Sequence, residues 1–113
     1  MCVNKQKMDV LFSRIEHYCF QGHTHIPGVF TRERFIGVEA CDYRCPLGEE
    51  KLMINVGSVG QPRDGDARAC YVILKENEIV FRRVDYPVTT TVEKILAIPE
   101  LDRSFADRLL MGQ

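Results

Sequence analysis

Two histidines separated by a single residue, His23 and His25, are the side chains whose types and spacing point most directly to chemistry. In an extended backbone, residues i and i+2 project to the same side, with Cα atoms roughly 6.6 Å apart. Neutral imidazole is a common metal ligand in proteins, so both rings could bind one ion, or each could bind one ion of a close pair. Thr24 would then face the other way as a spacer. The alternative is that two surface or core histidines fall two residues apart by chance.

The residues around this pair favour a site at the end of a strand. Gly22 lets the backbone or a ligand approach closely because it has no Cβ, and Pro27 ends regular strand pairing because it has no N–H. His17 lies at a predicted helix end before an apolar strand, and we interpret it as a capping or packing residue rather than a ligand.

A second segment, with the sequence NVGSVGQPRDGD at 55–66, is rich in glycine and in turn-forming residues. Gly57 and Ser58 expose backbone N–H groups that can form a concavity for an anion, and the planar guanidinium of Arg63 can pair with a phosphate. A structural interpretation comes first, however, because several of these side chains also hydrogen-bond local backbone in ordinary turns. These turn formers are Asn55, Ser58, Asp64 and Asp66. Arg63 and Asp66 could also form an internal ion pair.

Together and in this order, the GHTHIPG segment at 22–28 and the glycine-rich segment at 55–66 resemble the C-terminal half of the calcineurin-like metallophosphoesterases. The resemblance covers nearly the whole chain. It implies hydrolysis of phosphomonoesters or phosphodiesters at a dinuclear centre of divalent Mn, Fe, Zn or Ni, in which His23 would bind one ion and His25 the other. It also implies that the glycine-rich segment lies beside the histidines, with Gly57, Ser58 and Arg63 as candidate substrate-binding residues.

The same resemblance implies ligands that this chain does not contain. The family has an Asp-x-His, a GDxxD, a GNH and a further histidine in earlier segments. The candidate carboxylate or imidazole ligands before Gly22 in this chain are only Asp9, Glu16 and His17, and none of them lies in such a motif. Val56 also replaces the usual proline of the loop. We therefore expect residues 1–113 to form a single domain, a truncated C-terminal fragment of a metallophosphoesterase that is inactive alone. The alternative is a non-catalytic interaction module, or half of a split enzyme that acts with a partner chain.

Composition limits the other classes of function. A formal net charge of −1 gives no general attraction to nucleic acid or to anionic membranes. The chain has no long apolar run and no signal peptide at its N-terminus, from which we expect a cytoplasmic protein. The expected partners are a phosphate ester, if an N-terminal half completes the site, and a second copy of the chain through exposed sheet surface.

Five cysteines form no recognisable disulfide framework, and in a reducing compartment they are best interpreted as free thiols. Cys19 and Cys70 lie in apolar runs and are expected in the core. Cys41 and Cys45 could form a loop disulfide or half of a zinc site, but one thiol pair does not complete such a site. We interpret their segment as a polar loop.

The predicted fold is α+β, with one mostly antiparallel sheet of about five strands and flanking helices at both ends. Apolar residues at helical spacing predict the helices, and short β-rich runs between turn residues predict the strands. The predicted helices cover 5–17, 88–97 and 101–111. The predicted strands cover 18–21, 29–30, 35–38, 51–56, 69–74 and 79–84.

Overall fold

The computed structural model describes residues 4–113, which form three helices and seven strands in an α+β fold, as predicted. The helices are α1 (Lys5–Ser13), α2 (Val88–Leu96) and α3 (Ser104–Met111). The strands are β1 (Tyr18–Gln21), β2 (Gly28–Phe30), β3 (Phe35–Gly37), β4 (Arg44–Pro46), β5 (Leu52–Asn55), β6 (Ala69–Leu74) and β7 (Glu78–Val84).

The strands form two sheets rather than the single sheet that was predicted. The first sheet has the order β1-β5-β2-β3, and the second has the order β4-β7-β6. Strands β2 and β3 form an antiparallel hairpin, and so do β6 and β7. Strand β5 lies in the middle of the first sheet, parallel to β1 and antiparallel to β2. Asn55 at its end therefore pairs with Gln21 on one side and with Gly28 on the other.

The main core lies between the two sheets, where fully buried Ile54 and Val29 of the first sheet pack with Ile79 and Phe81 of the second. Helix α1 covers the opposite face of the first sheet and packs Met8 and Phe12 against Met53. All four residues of β5 are buried as a result. This central strand is a rigid base for the segments that leave its end.

The structure corrects two predicted boundaries. Helix α1 ends at Ser13 rather than at residue 17, because the Arg14 N–H bonds to the Leu11 carbonyl and closes the helix. Strand β4 lies in a segment that was predicted to be loop. It pairs only with β7 and therefore forms a sheet edge. Pro46 is tolerated there because an edge strand does not need every N–H for the ladder.

Helices α2 and α3 pack on each other through a small cluster of Val92, Ala106 and Leu109. Leu109 of α3 is buried, whereas Phe105 and Leu110 of α3 and Leu101 before it are exposed. Gly112 ends α3 with a left-handed φ of 68°, a conformation in which glycine commonly ends a helix. Its carbonyl accepts a hydrogen bond from the Gly65 N–H at 2.9 Å, which ties the end of α3 to the glycine-rich segment. No helix of residues 4–113 is long and apolar enough to cross a membrane.

The four cysteines that the structure describes are free thiols, as expected; Cys2 lies outside the described residues. Cys70 is buried and Cys19 packs against the α1 cluster. Cys41 and Cys45 are half-buried against the main core rather than at a polar loop tip. Burial raises the pKa of both thiols, so neither is activated as a nucleophile or as a thiolate ligand.

Candidate metal site

The segment from Gly22 to Pro27 leaves β1, passes over the end of β5 and enters β2. The two histidines follow the end of a strand, as predicted, but their backbone is turned rather than extended. His23 has a φ of 73° and His25 a φ of 62°, both in the left-handed region. Such values are uncommon for residues other than glycine, and residues in sparsely populated conformations cluster at functional sites.

Asn55 fills the space beneath this turn. It is 1% exposed and is the one buried polar residue among residues 4–113. Its Nδ2 donates to the Gly22 carbonyl and to the Thr24 hydroxyl, each at 2.9 Å. Its Oδ1 accepts from the Gly57 N–H at 3.0 Å. Thr24 is therefore an anchor of the turn and not only a spacer.

The ring of His25 is half-buried, and its Nδ1 lies 2.9 Å from the Gln61 carbonyl oxygen. Since a carbonyl oxygen can only accept, Nδ1 carries the proton, and a neutral ring then has its lone pair on Nε2. The Arg63 N–H also donates to the His25 carbonyl at 3.1 Å. A histidine that binds a metal through one nitrogen usually donates its other N–H to such a carbonyl, so His25 is oriented as a ligand would be. The His23 ring is exposed.

The glycine-rich segment thus contacts the histidine turn, as the resemblance implied, and several of its polar groups bond within the segment itself. The Ser58 hydroxyl accepts from the N–H groups of Gly60 and Gln61, at 3.1 and 2.8 Å. The Gly57 N–H is used by Asn55, which leaves it unavailable to an anion. These contacts agree with the structural interpretation of the loop.

Arg63 does not pair with Asp66, contrary to one expectation from sequence. Its Nη2 donates to the Gln61 side chain at 3.0 Å, and the residue is exposed. The carboxylates of the segment face Arg83 instead, whose side chain is 3% exposed and bonds to Asp64. Asp66 accepts from Arg68 at 2.8 Å and lies 3.6 Å from the Arg83 Nε. Hydrogen bonding to Arg68 lowers the pKa of Asp66 to about 2.

His17 is outside this site. Its ring stacks on Tyr18, with centroids 4.1 Å apart and planes 13° from parallel. This contact agrees with its expected role in packing.

The donors of the turn fit part of a metal site. Two imidazoles are suitable ligands for Zn²⁺, Ni²⁺ and similar ions, and the Nδ1–H contact of His25 gives one of them the usual supporting bond. Within residues 4–113, however, no group of three or more His, Cys, Asp or Glu side chains is placed to hold an ion. The described residues therefore supply neutral ligands without a carboxylate.

Comparison with known proteins supports the likeness in fold. No family model matches the chain. An uncharacterized protein of Methanocaldococcus jannaschii is 38% identical over 97 residues, which are 83% of this chain and 39% of that protein. A crystal structure of a metallophosphoesterase from Sphaerobacter thermophilus superposes with a TM-score of 0.80 at 29% identity, over 97% of this chain and 49% of that one. The fold is similar to that of about half of the Sphaerobacter thermophilus metallophosphoesterase. The chain spans less than half the length of both relatives.

Sequence reasoning missed Asn55, Thr24 and the Gln61 carbonyl as parts of the site. Asn55 lies 33 residues after Gly22 in the chain, so no local pattern connects the two. Asparagine is also an ordinary turn residue, so its type alone did not indicate a buried role. The Gln61 contact is made by backbone, so its side chain gives no signal. An Asn at the end of a fully apolar strand was the one usable signal, because a buried amide needs several partners.

Proposed function

We propose that this chain is the C-terminal half of a metal-dependent phosphoesterase and supplies His23 and His25 as ligands to its dinuclear centre. The observation that carries this proposal is the His25 ring, whose Nδ1–H is held by the Gln61 carbonyl so that Nε2 is available. The likeness to the Sphaerobacter thermophilus enzyme supports the same assignment. The substrate class is a phosphomonoester or phosphodiester, and the ions are divalent Mn, Fe, Zn or Ni.

The role of each residue follows from its contacts. His23 and His25 would hold the ions, with Nε2 the available nitrogen on His25. Divalent ions, when bound, stabilise negative charge on phosphoryl oxygens and provide a nucleophile from water. Arg63 is the candidate for substrate binding because it is exposed and has no carboxylate partner among the described residues. Its own N–H donates to the His25 carbonyl, which places it beside the histidine turn. Gly57 and Ser58 shape the loop, since their polar groups are already bonded within it.

The described residues do not complete such a centre. Two ions roughly 3.5–4 Å apart repel each other, and anionic ligands must offset that repulsion. Asp64 and Asp66 cannot do so while they are bonded to Arg83 and Arg68. We therefore propose that catalysis requires a second polypeptide segment, equivalent to the part of the relatives that this chain does not span.

A non-catalytic interaction module is the second candidate. One observation favours it: an apolar groove of about 480 Å³ lies beside the outer strands β1 and β6 and includes exposed Val59 and Leu74. An exposed apolar surface of this kind marks an interface. A partner bound there would not need to contribute metal ligands.

Hydrolysis of p-nitrophenyl phosphate and bis-p-nitrophenyl phosphate with Mn²⁺, Ni²⁺ or Zn²⁺ separates the candidates. The wild type and a His23→Ala, His25→Ala variant are assayed alone and after co-expression with the unmatched part of the Sphaerobacter thermophilus enzyme. We expect no turnover by the chain alone, and turnover in the complex that the double variant loses by orders of magnitude.

Two results would contradict the proposal. Robust turnover by the chain alone that disappears in the double variant would show that the described residues suffice. A complex without turnover would favour the interaction module, provided that the Sphaerobacter thermophilus part is active when it is combined with its own C-terminal half.

A further inference from the structure

We infer that Asn55 is a positioning residue that holds the two histidines in a ligand-ready conformation. The inference rests on the proposed role of His23 and His25 as metal ligands. It concerns a residue that would touch neither the ion nor the substrate. Its action would be through the backbone of the turn.

The hydrogen bonds of Asn55 bracket His23. The two donors of its amide bond to Gly22 and Thr24, the residues immediately before and after this histidine. The turn between them is further closed by the Thr24 N–H, which donates to the Gly22 carbonyl at 3.0 Å. The backbone of His23 therefore has little freedom to leave its φ of 73°.

The third bond of Asn55 connects this turn to the support of His25. Its Oδ1 holds the Gly57 N–H at the start of the glycine-rich segment. The same segment supplies the Gln61 carbonyl to the His25 ring and the Arg63 N–H to the His25 backbone. One buried amide thus joins the two pieces of chain that fix the two imidazoles.

Asparagine is the side chain that this position requires. A carboxylate at residue 55 could accept from Gly57, but it has no donor for the Gly22 carbonyl. An apolar side chain would leave the buried Gly57 N–H without its partner and would remove the bond from residue 55 to the Gly22 carbonyl. The left-handed φ values at His23 and His25 persist only if surrounding bonds enforce them.

Calorimetric titration with Zn²⁺ tests the inference on the full chain. The proteins compared are the wild type, Asn55→Asp, Thr24→Val, Asn77→Asp and the His23→Ala, His25→Ala variant. Asn77 is an exposed turn residue and is the matched control for the Asn55 change. Loss of supporting hydrogen bonds typically weakens metal affinity about 10–100-fold. We expect Asn55→Asp to lose Zn²⁺ affinity by a factor in this range and Thr24→Val to lose less. The affinity of Asn77→Asp should match that of the wild type.

Backbone NMR of the metal-free proteins gives a second readout that overall stability does not determine. Three-bond couplings and Cα and Cβ shifts report φ at His23. In Asn55→Asp and Thr24→Val, we expect His23 to leave the left-handed region while the signals of β6 and β7 stay in place. Unchanged φ together with unchanged Zn²⁺ affinity in both variants would overturn the inference.

The outcomes distinguish failure of this inference from failure of the proposed function. Wild-type affinity in the double-histidine variant would overturn both, because the metal assignment itself would be wrong. Loss of affinity in that variant, with wild-type affinity in both Asn55→Asp and Thr24→Val, would overturn only the role of Asn55. If Asn55→Asp does not fold, Thr24→Val decides, since Thr24 is exposed and its change removes a single bond from the Asn55 amide.

Discussion

The carboxylate of Asp66 lies between two guanidinium groups, those of Arg68 and Arg83, and its pKa falls from 3.8 to about 2. The unfolded chain therefore binds more protons than the folded chain between about pH 4 and pH 2. Stability rises with pH in this interval and is lost as the pH falls through it. The contact between Asp66 and Arg83 joins the glycine-rich segment to β7, the strand that contains Arg83.

We expect the Asp66→Asn variant to be less stable than the wild type at pH 7 and to lose less stability between pH 4 and pH 2. Urea unfolding midpoints measured across this interval test the expectation. Asp9→Asn on the exposed face of α1 is the control and should retain the pH dependence of the wild type. Equal pH dependence in the wild type and Asp66→Asn would show that the Arg68 and Arg83 contacts do not stabilise the fold.

Single residues were predictable from sequence where side-chain chemistry is specific. The pair His23 and His25 was identified by type and spacing, yet its extended geometry was wrong because the left-handed backbone depends on Asn55 and Gln61, which are distant in sequence. The partners of Asp64 and Asp66 were missed for the same reason. Arg83 belongs to a hairpin strand, and no local pattern connects it to the loop.

The glycine-rich segment has a defined shape because its backbone is fixed at Gly57. Gly57 has a φ of 81°, and a Cβ built there would lie 2.9 Å from the Cys70 Cβ. The left-handed backbone alone costs an L-residue roughly 1–2 kcal/mol, and overpacking of a core typically costs about 1–3 kcal/mol. Gly60 in the same segment has open space at this position and no positive φ.

We expect Gly57→Ala to lower the free energy of unfolding by at least about 2 kcal/mol, the sum of these two effects at their lower ends. The matched Gly60→Ala change should leave it nearly unchanged. Urea denaturation at fixed protein concentration gives both values. Equal destabilisation by the two changes would mean that the loop tolerates a Cβ at Gly57 by shifting, and that Gly57 does not set its shape.

Elements with regular patterns were well predicted from sequence, and those defined by long-range pairing were not. The β6–β7 hairpin needs only a local turn, and its register from Ala69–Val84 to Leu74–Ile79 matches the predicted runs. Strand β4 has no apolar alternation, and it is a strand only because β7 provides a ladder for it. The parallel pairing of β1 with β5 likewise has no local signal, so the division into two sheets was not predictable.

At the scale of the whole molecule, the structure is elongated, with extents of 49 × 30 × 21 Å. Its radius of gyration is 16.1 Å, against about 13 Å for a compact domain of this size. Strand β1 is one of the two outer strands of the first sheet, and β6 is one of the two outer strands of the second. The apolar groove lies beside them, with Phe20 of β1 and Tyr71 of β6 among its lining residues. Unpaired strand edges beside exposed apolar surface favour association with another chain.

We expect the isolated chain to self-associate through this groove. None of its eight lining residues is charged, so a twofold contact would bring no like charges together, and a symmetric dimer is the commonest closed assembly. Changing Val59 and Leu74, which are 69% and 61% exposed, to lysine should leave a monomer. Val10→Lys, at a 52% exposed apolar residue on α1, is the control and should remain associated.

Light scattering at micromolar concentration, with a dye that binds apolar surface, tests this association. A wild-type mass of 13.0 kDa without dye binding would contradict it. If the Val59 and Leu74 variant kept the wild-type mass, the contact would have to lie elsewhere, and the exposed residues of the α2–α3 pair, such as Leu101 and Phe105, would be the surface to change next. If only the groove variant became monomeric, the apolar groove beside β1 and β6 would be the interface. This is the face at which we would then expect the second polypeptide segment of the proposed centre to bind, because β1 and β6 end their sheets there beside exposed apolar surface.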